Sequence, residues 1–305
     1  MPPPPSGAQF EIAAGSGRAT IVEVGGGIRS YEDGGRAVLE PYGLEDICDG
    51  GHGAVLVPWP NRLAEGRYSF QGVEHRLALT EPARGNAIHG LGRWRAWRAL
   101  EQEPDRVLMG LRLHPQPGYP FDLEITVEYR LGEDGLTVTT TALNRGGPTC
   151  PYGAGQHPYL SPGAGTIDDC SLELPAATLI TTDQDSGLPS GREALEGGPL
   201  DFRSPRPLAG LQIDSPFADL GRGADGRARA RLLCADGASV ELWVDDGYPF
   251  LELFTGDTLS PSRRRRGLAV EPMSCPPNAF QSGQGLVRLQ AGESHTARWG
   301  AALRR

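Results

Sequence analysis

The sequence predicts an all-β fold, a large antiparallel β-sandwich formed by a single domain over residues 1–305. Three observations predict it. Apolar and polar residues alternate over short runs, as in strands that bury one face. Glycine and proline are abundant, 43 and 27 residues, and fall between those runs as turn signals. Long apolar patterns of helical period are missing.

The elements follow in order. Residues 1–8 are proline-rich and are expected to form a disordered tail. Tyr68-Ser69-Phe70 meets Gln71-Gly72 and continues as Val73 to Leu79. Leu123 to Leu131 alternates, turns through Gly132-Glu133-Asp134-Gly135 and returns as Leu136 to Leu143. Arg231 to Cys234 turns at Asp236-Gly237 and returns as Ser239 to Val244. Each reads as strand, turn, strand. Further turn pairs stand at Asp33-Gly34, Asp49-Gly50, Asp225-Gly226 and Asp246-Gly247. Gly191 to Gly210 is rich in Pro and Gly and reads as a long surface loop. Tyr119 and Phe121 read as core. No fixed-period repeat occurs.

Hydrophobic residues make up 38% of the chain, enough for a sizeable core. The formal net charge of −9 disfavours nucleic-acid and anionic-membrane partners. No apolar run approaches the roughly 20 residues that span a bilayer. The N-terminus lacks the basic and apolar regions of a secretion signal. The cysteines, Cys48, Cys150, Cys170, Cys234 and Cys275, are odd in number and widely spaced, without a C-x-x-C. They read as buried, inert thiols in a reducing cytoplasm rather than a disulfide framework or a zinc knuckle.

Chemistry-bearing residues gather in a few stretches. Gly153-Ala154-Gly155-Gln156-His157-Pro158-Tyr159-Leu160 sets an imidazole between glycines and a proline that extends the backbone before it. Such a backbone can fix one ring for proton transfer, although a histidine there is commonly structural. Trp59-Pro60-Asn61-Arg62 offers a guanidinium beside an aromatic ring, which suits sugar or carboxylate recognition. Asn86-Ala87-Ile88-His89-Gly90-Leu91-Gly92-Arg93-Trp94 repeats the theme of imidazole, arginine and tryptophan. The remaining histidines form no ligand pair at short spacing, so no metal is assigned. Asp219 is an acid between apolar residues, available to a sugar hydroxyl or simply to a turn. Arg263 to Arg266 reads as a solvated run, with one arginine free to meet an anionic substituent. Glu271 ends a short apolar strand before Pro272, where desolvation raises its pKa and makes it a better base near neutrality.

In this order, Pro60-Asn61-Arg62, Ile88-His89-Gly90, Gln156-His157-Pro158-Tyr159, Asp219 and Val270-Glu271-Pro272 resemble the aldose 1-epimerase family of galactose mutarotase-like proteins. The resemblance runs from about Ile21 to Trp299. It implies a supersandwich with the site in a cleft of its curved sheet, and aldose 1-epimerase activity on a free sugar. It makes His157 the general acid and Glu271 the general base, with Asn61, Arg62, His89, Trp94, Gln156 and Asp219 binding substrate. No cofactor is implied, and the protein would act as a monomer or homodimer. Gly92-Arg93-Trp94 and Met273 to Asn278 are closer to a bacterial branch that includes sulfosugar mutarotases. The resemblance also implies a charged His157, held so by Glu271 or Asp219, because an ordinary imidazole value of about 6.5 leaves most of it neutral at about pH 7. Three other readings stay open: a glycoside hydrolase using Glu271 and Asp219, a non-catalytic carbohydrate-binding sandwich, and an epimerase of phosphorylated hexoses.

Overall fold

The computed structural model describes residues 3–304. Among the described residues its two main sheets, of twelve and nine strands, pair antiparallel and share one hydrophobic core. The alternation seen in the sequence is the cause. The strands Leu123–Gly132 and Gly135–Asn144 pair along their whole length and bury every second residue. The hairpins expected at 68–79 and 231–244 form as Arg67–Phe70 with Val73–Arg76 and Ala228–Leu233 with Ser239–Val244, with the turns the sequence marks. Tyr119 and Phe121 are buried in the core. The one α-helix among the described residues, Ala279–Ser282, is a single turn. No helix among the described residues is long and apolar enough to cross a membrane.

Two stretches differ from expectation. Gly191 to Gly210 begins within an exposed edge strand, Pro189–Ala194, that pairs with Ala176–Thr182. Its backbone completes a sheet edge, which composition alone does not reveal. Of the expected tail, residues 1–2 lie outside the described residues, and Ser6 to Ala8 are tied down. The Val24 N–H donates to the Ser6 carbonyl and the Glu23 N–H to the Ala8 carbonyl. The prolines of the tail lack amide donors, but the residues after them do not.

The fold's main service to the site is a register. Gly155–Gln156 and Tyr159–Leu160 lie along Leu268–Met273, with Gly155 opposite Met273 and Tyr159 opposite Ala269. Counting inward from both pairs sets His157 opposite Glu271. The next strand, Phe250–Phe254, sets Glu252 opposite Glu271 from the other side.

Strand alternation also corrects one expected ligand. Gln156, next to His157, points the opposite way, into the sandwich. Its amide donates to the Gly53 carbonyl and the Tyr129 hydroxyl, and its oxygen accepts from the Trp299 indole at 3.0 Å. It is a fully satisfied core amide that joins the two sheets, not a sugar ligand.

Candidate active site

A cavity of about 560 Å³ opens over this register. Asn61, Arg62, His89, His157 and Glu271 all line it, so five of the eight residues singled out from the sequence meet in one place. His157 Nε2 and Glu271 Oε1 are 3.1 Å apart at its floor. The two residues are 5% and 2% exposed. Burial pushes the His157 imidazole well below its ordinary value and the Glu271 carboxyl well above, with Arg93 adding to the first and Asp214 to the second. Both directions describe one proton between two groups, resting on the carboxyl as a neutral pair. The expectation of a charged His157 is thereby corrected for the ligand-free site: desolvation outweighs the adjoining carboxyl.

The His157 ring is held by stacking. It lies over Tyr159, with centroids 5.0 Å apart and planes within 15°. Tyr159 lies over His52 at 3.8 Å and 6°. The Tyr159 hydroxyl donates to the Gly50 carbonyl, and His52 Nδ1 meets the Asp49 carbonyl at 2.8 Å. A Cβ on Gly51 would stand 2.7 Å from the His157 ring, so only glycine leaves the ring its place.

His89 and Asn61 hold one another. Each has a left-handed backbone, φ 61° and 54°, a conformation that costs on the order of 1–3 kcal/mol outside glycine. The His89 N–H donates to the Asn61 carbonyl at 2.9 Å, and the Asn61 N–H donates to His89 Nδ1 at 3.3 Å. The second bond puts the His89 proton on Nε2. Burial and the neighbouring His157 keep this ring neutral. His89 therefore offers a fixed neutral N–H donor.

The Arg62 fork is engaged by Glu81 at 3.0 Å and by Asp214 at 3.4 Å. Asp214 lines the cavity, as do Glu81 and Asp257, and the local sequence singles out none of the three. Asp219 stands five residues along the same strand, Asp214–Leu220, about 16 Å away at strand rise. Its side chain is 60% exposed and engages Thr178 and Arg192 instead. Trp94 is also outside, 54% exposed, with the Arg93 guanidinium 4.9 Å over its ring. Arg93 lines the cavity and finds no carboxylate within ion-pair distance among the described residues. Trp59 is core, beside Phe280. The 263–266 run does not line the cavity. Arg263 pairs with Asp46, Arg265 with Asp168 and Asp257, and Arg266 with Glu40. Buried Glu252 is kept protonated by desolvation and by Asp214 and Glu271 nearby.

His89, His157 and Glu271 present donor atoms within 4.8 Å of one another, a set compatible with a divalent cation. Short spacing along the chain, the signal read for metals, cannot show such a set because its members come from three remote segments.

The family profile described as "Aldose 1-epimerase" matches residues 8–300. The chain belongs to the aldose 1-epimerase family. The uncharacterized protein YihR of Escherichia coli K12 is 36% identical over 297 residues, covering 95% of this chain and 91% of that one. The galactose mutarotase of Sus scrofa is 28% identical over 236 residues, covering 72% and 66%. Among solved structures, a putative aldose 1-epimerase from E. coli K12 superposes with a TM-score of 0.83 at 23% identity, covering 97% and 99%. A GalM/aldose epimerase homologue from C. elegans reaches 0.86 at 18%, covering 98% and 99%. At these identities the structures speak for the fold.

The ring stack makes a pH prediction. Burial lowers the His52 pKa to about 4. This lies below the ordinary value of about 6.5, so the unfolded chain takes up the proton first as pH falls. The stability from this group is whole above about pH 6.5 and is lost on the way down to about pH 4. Between about pH 7.5 and about pH 4.5, wild type should lose about 2–3 kcal/mol more than His52→Gln, read by urea unfolding. Equal losses in the two proteins would show that His52 is not buried neutral.

Proposed function

We propose that this aldose 1-epimerase family member interconverts the α and β anomers of a free aldose by opening and closing its ring. The observation that carries the reading is the His157–Glu271 contact of 3.1 Å at the cavity floor. Ring opening needs a proton delivered to the ring oxygen and another taken from the anomeric hydroxyl. With the shared proton on His157, the imidazolium serves the ring oxygen and the Glu271 carboxylate accepts from the hydroxyl. The C1–O bond of the ring breaks as the C1 carbonyl forms. The site is left with a neutral imidazole and a protonated carboxyl, the state that burial favours. Rotation about C1–C2 turns the carbonyl over, and the same two transfers reverse. The pair holds one proton at the start and one at the finish. It can return that proton across its own hydrogen bond between turnovers. His89 Nε2–H, Asn61 and the Arg62–Asp214 pair hold the remaining oxygens still while C1 turns.

The hydrolase alternative that pairs Glu271 with Asp219 loses that partner, since Asp219 is outside the cavity. The galactose mutarotase relatives favour anomer exchange over glycoside cleavage.

A second reading concerns the sugar. Arg93 is a cationic fork in the cavity wall without a carboxylate of its own, and it suits an anionic substituent such as a sulfonate, carboxylate or phosphate. The word Gly92-Arg93-Trp94, which resembles the sulfosugar branch, supports the same reading.

Two experiments test these readings. Glu271→Gln and His157→Asn should keep the wild-type circular dichroism and slow anomer exchange at least about 100-fold, followed by polarimetry or exchange NMR. Full activity in either variant defeats the assignment. Arg93→Met should raise KM about tenfold or more for a hexose carrying a sulfonate or carboxylate at C6 and leave the neutral parent sugar within about twofold. Equal changes for both sugars would remove Arg93 from substrate selection.

A further inference from the structure

The register of Ser171–Glu173 on Ala228–Leu233 pairs Ser171 with Leu233, Leu172 with Leu232 and Glu173 with Arg231. One step beyond it, Cys170 faces Cys234. Leu172 and Leu232 are fully buried, and residues two along share a face, so both cysteines point inward. They are 3% and 8% exposed. The two residues exchange no backbone hydrogen bond. The Cys170 N–H goes to the Ile167 carbonyl, the Cys234 N–H goes to the Ala238 carbonyl, and the Cys170 carbonyl accepts from Leu208. Cross-strand positions of this type bring Cα atoms to about 4.5 Å, inside the roughly 4.4–6.8 Å that a disulfide spans.

The Cys234 S–H lies toward the Leu232 and Ser161 carbonyls, at 3.6 and 3.9 Å, and the neighbouring Cys170 and Arg36 favour its thiolate, holding its pKa below the usual thiol value. Arg36 is itself oriented by Asp236 at 2.9 Å. Cys48, Cys150 and Cys275 have no such setting: burial pushes all three thiols up.

We propose that Cys170 and Cys234 form a peroxide-responsive dithiol that closes to a cross-strand disulfide. The Cys234 thiolate attacks one oxygen of hydrogen peroxide. An S–O bond forms, the O–O bond breaks, and the departing hydroxide takes a proton to become water. The Cys170 sulfur then attacks the sulfenic sulfur. An S–S bond forms, the S–O bond breaks, and hydroxide leaves as water with the Cys170 proton. The two thiols lose two electrons and two protons, and peroxide is reduced to two waters. The bridge would close the span that carries Asp214, one wall of the cavity.

The test uses the reduced full-length protein, a stoichiometric dose of hydrogen peroxide, alkylation under denaturing conditions and peptide mapping. The expected result is a Cys170–Cys234 linked peptide, three alkylated cysteines in place of the five free before treatment, and a Tm raised by roughly 5 °C or more. Cys170→Ser should trap the sulfenic acid on Cys234, captured with dimedone, and Cys234→Ser should leave Cys170 unmodified. The wild-type map needs no variant to fold. Five alkylatable thiols after treatment, or a bridge to another cysteine, overturns the proposal. So does dimedone on Cys170 in place of Cys234.

Discussion

One contact organises the site: an imidazole and a carboxyl set side by side by the pairing of two strand segments. Residues 155–160 and 268–273 run antiparallel, and the break at Pro158 leaves the midpoint of the pairing to His157 and Glu271. Neither residue needs a flexible loop to find the other. Both lie almost fully out of water, so a charge on either is costly unless the other compensates it. One proton is the arrangement that satisfies both. A proton shared by the two groups can be passed through a substrate placed between them.

The surroundings keep that contact narrow in geometry. The Tyr159 and His52 rings fix the tilt of His157, and the Tyr159 hydroxyl is anchored to Gly50. Across the sheet, Glu271, Glu252 and Asp214 form a band of acids on successive strands, with Arg62 reaching Asp214 from outside. Burial and its like neighbours keep Glu252 neutral, and Asp214 stands beside Arg62. The strained backbones of Asn61 and His89 are maintained by their two mutual hydrogen bonds, and the result is a neutral donor whose tautomer is settled before a ligand arrives.

The fold was legible in the sequence because alternation and turn residues report directly on which face is wet. The central residues were legible for a different reason: His157, Glu271, His89, Asn61 and Arg62 sit in short words whose order resembles a family. Gln156 misled because it shares a word with His157, although neighbours in a strand face opposite ways. Trp94 and Arg93 differ in the same manner, and the residue of the pair that reaches the cavity is the arginine. Asp219 matched as an isolated acid, yet the strand presents Asp214 to the cavity one and a half nanometres away by rise alone. Nothing local distinguishes the two, since the choice is made by where the strand enters the sheet. The Cys170–Cys234 pairing depends on strand register and has no signature in spacing.

The shared proton is the central claim, and histidine-ring ¹⁵N NMR of the ligand-free protein reads it most directly. A neutral His157 ring is expected across about pH 6 to 8, with Nε2 accepting a hydrogen bond that vanishes in Glu271→Ala. An imidazolium at His157 through that range, or a ring whose signals ignore the loss of Glu271, would contradict it.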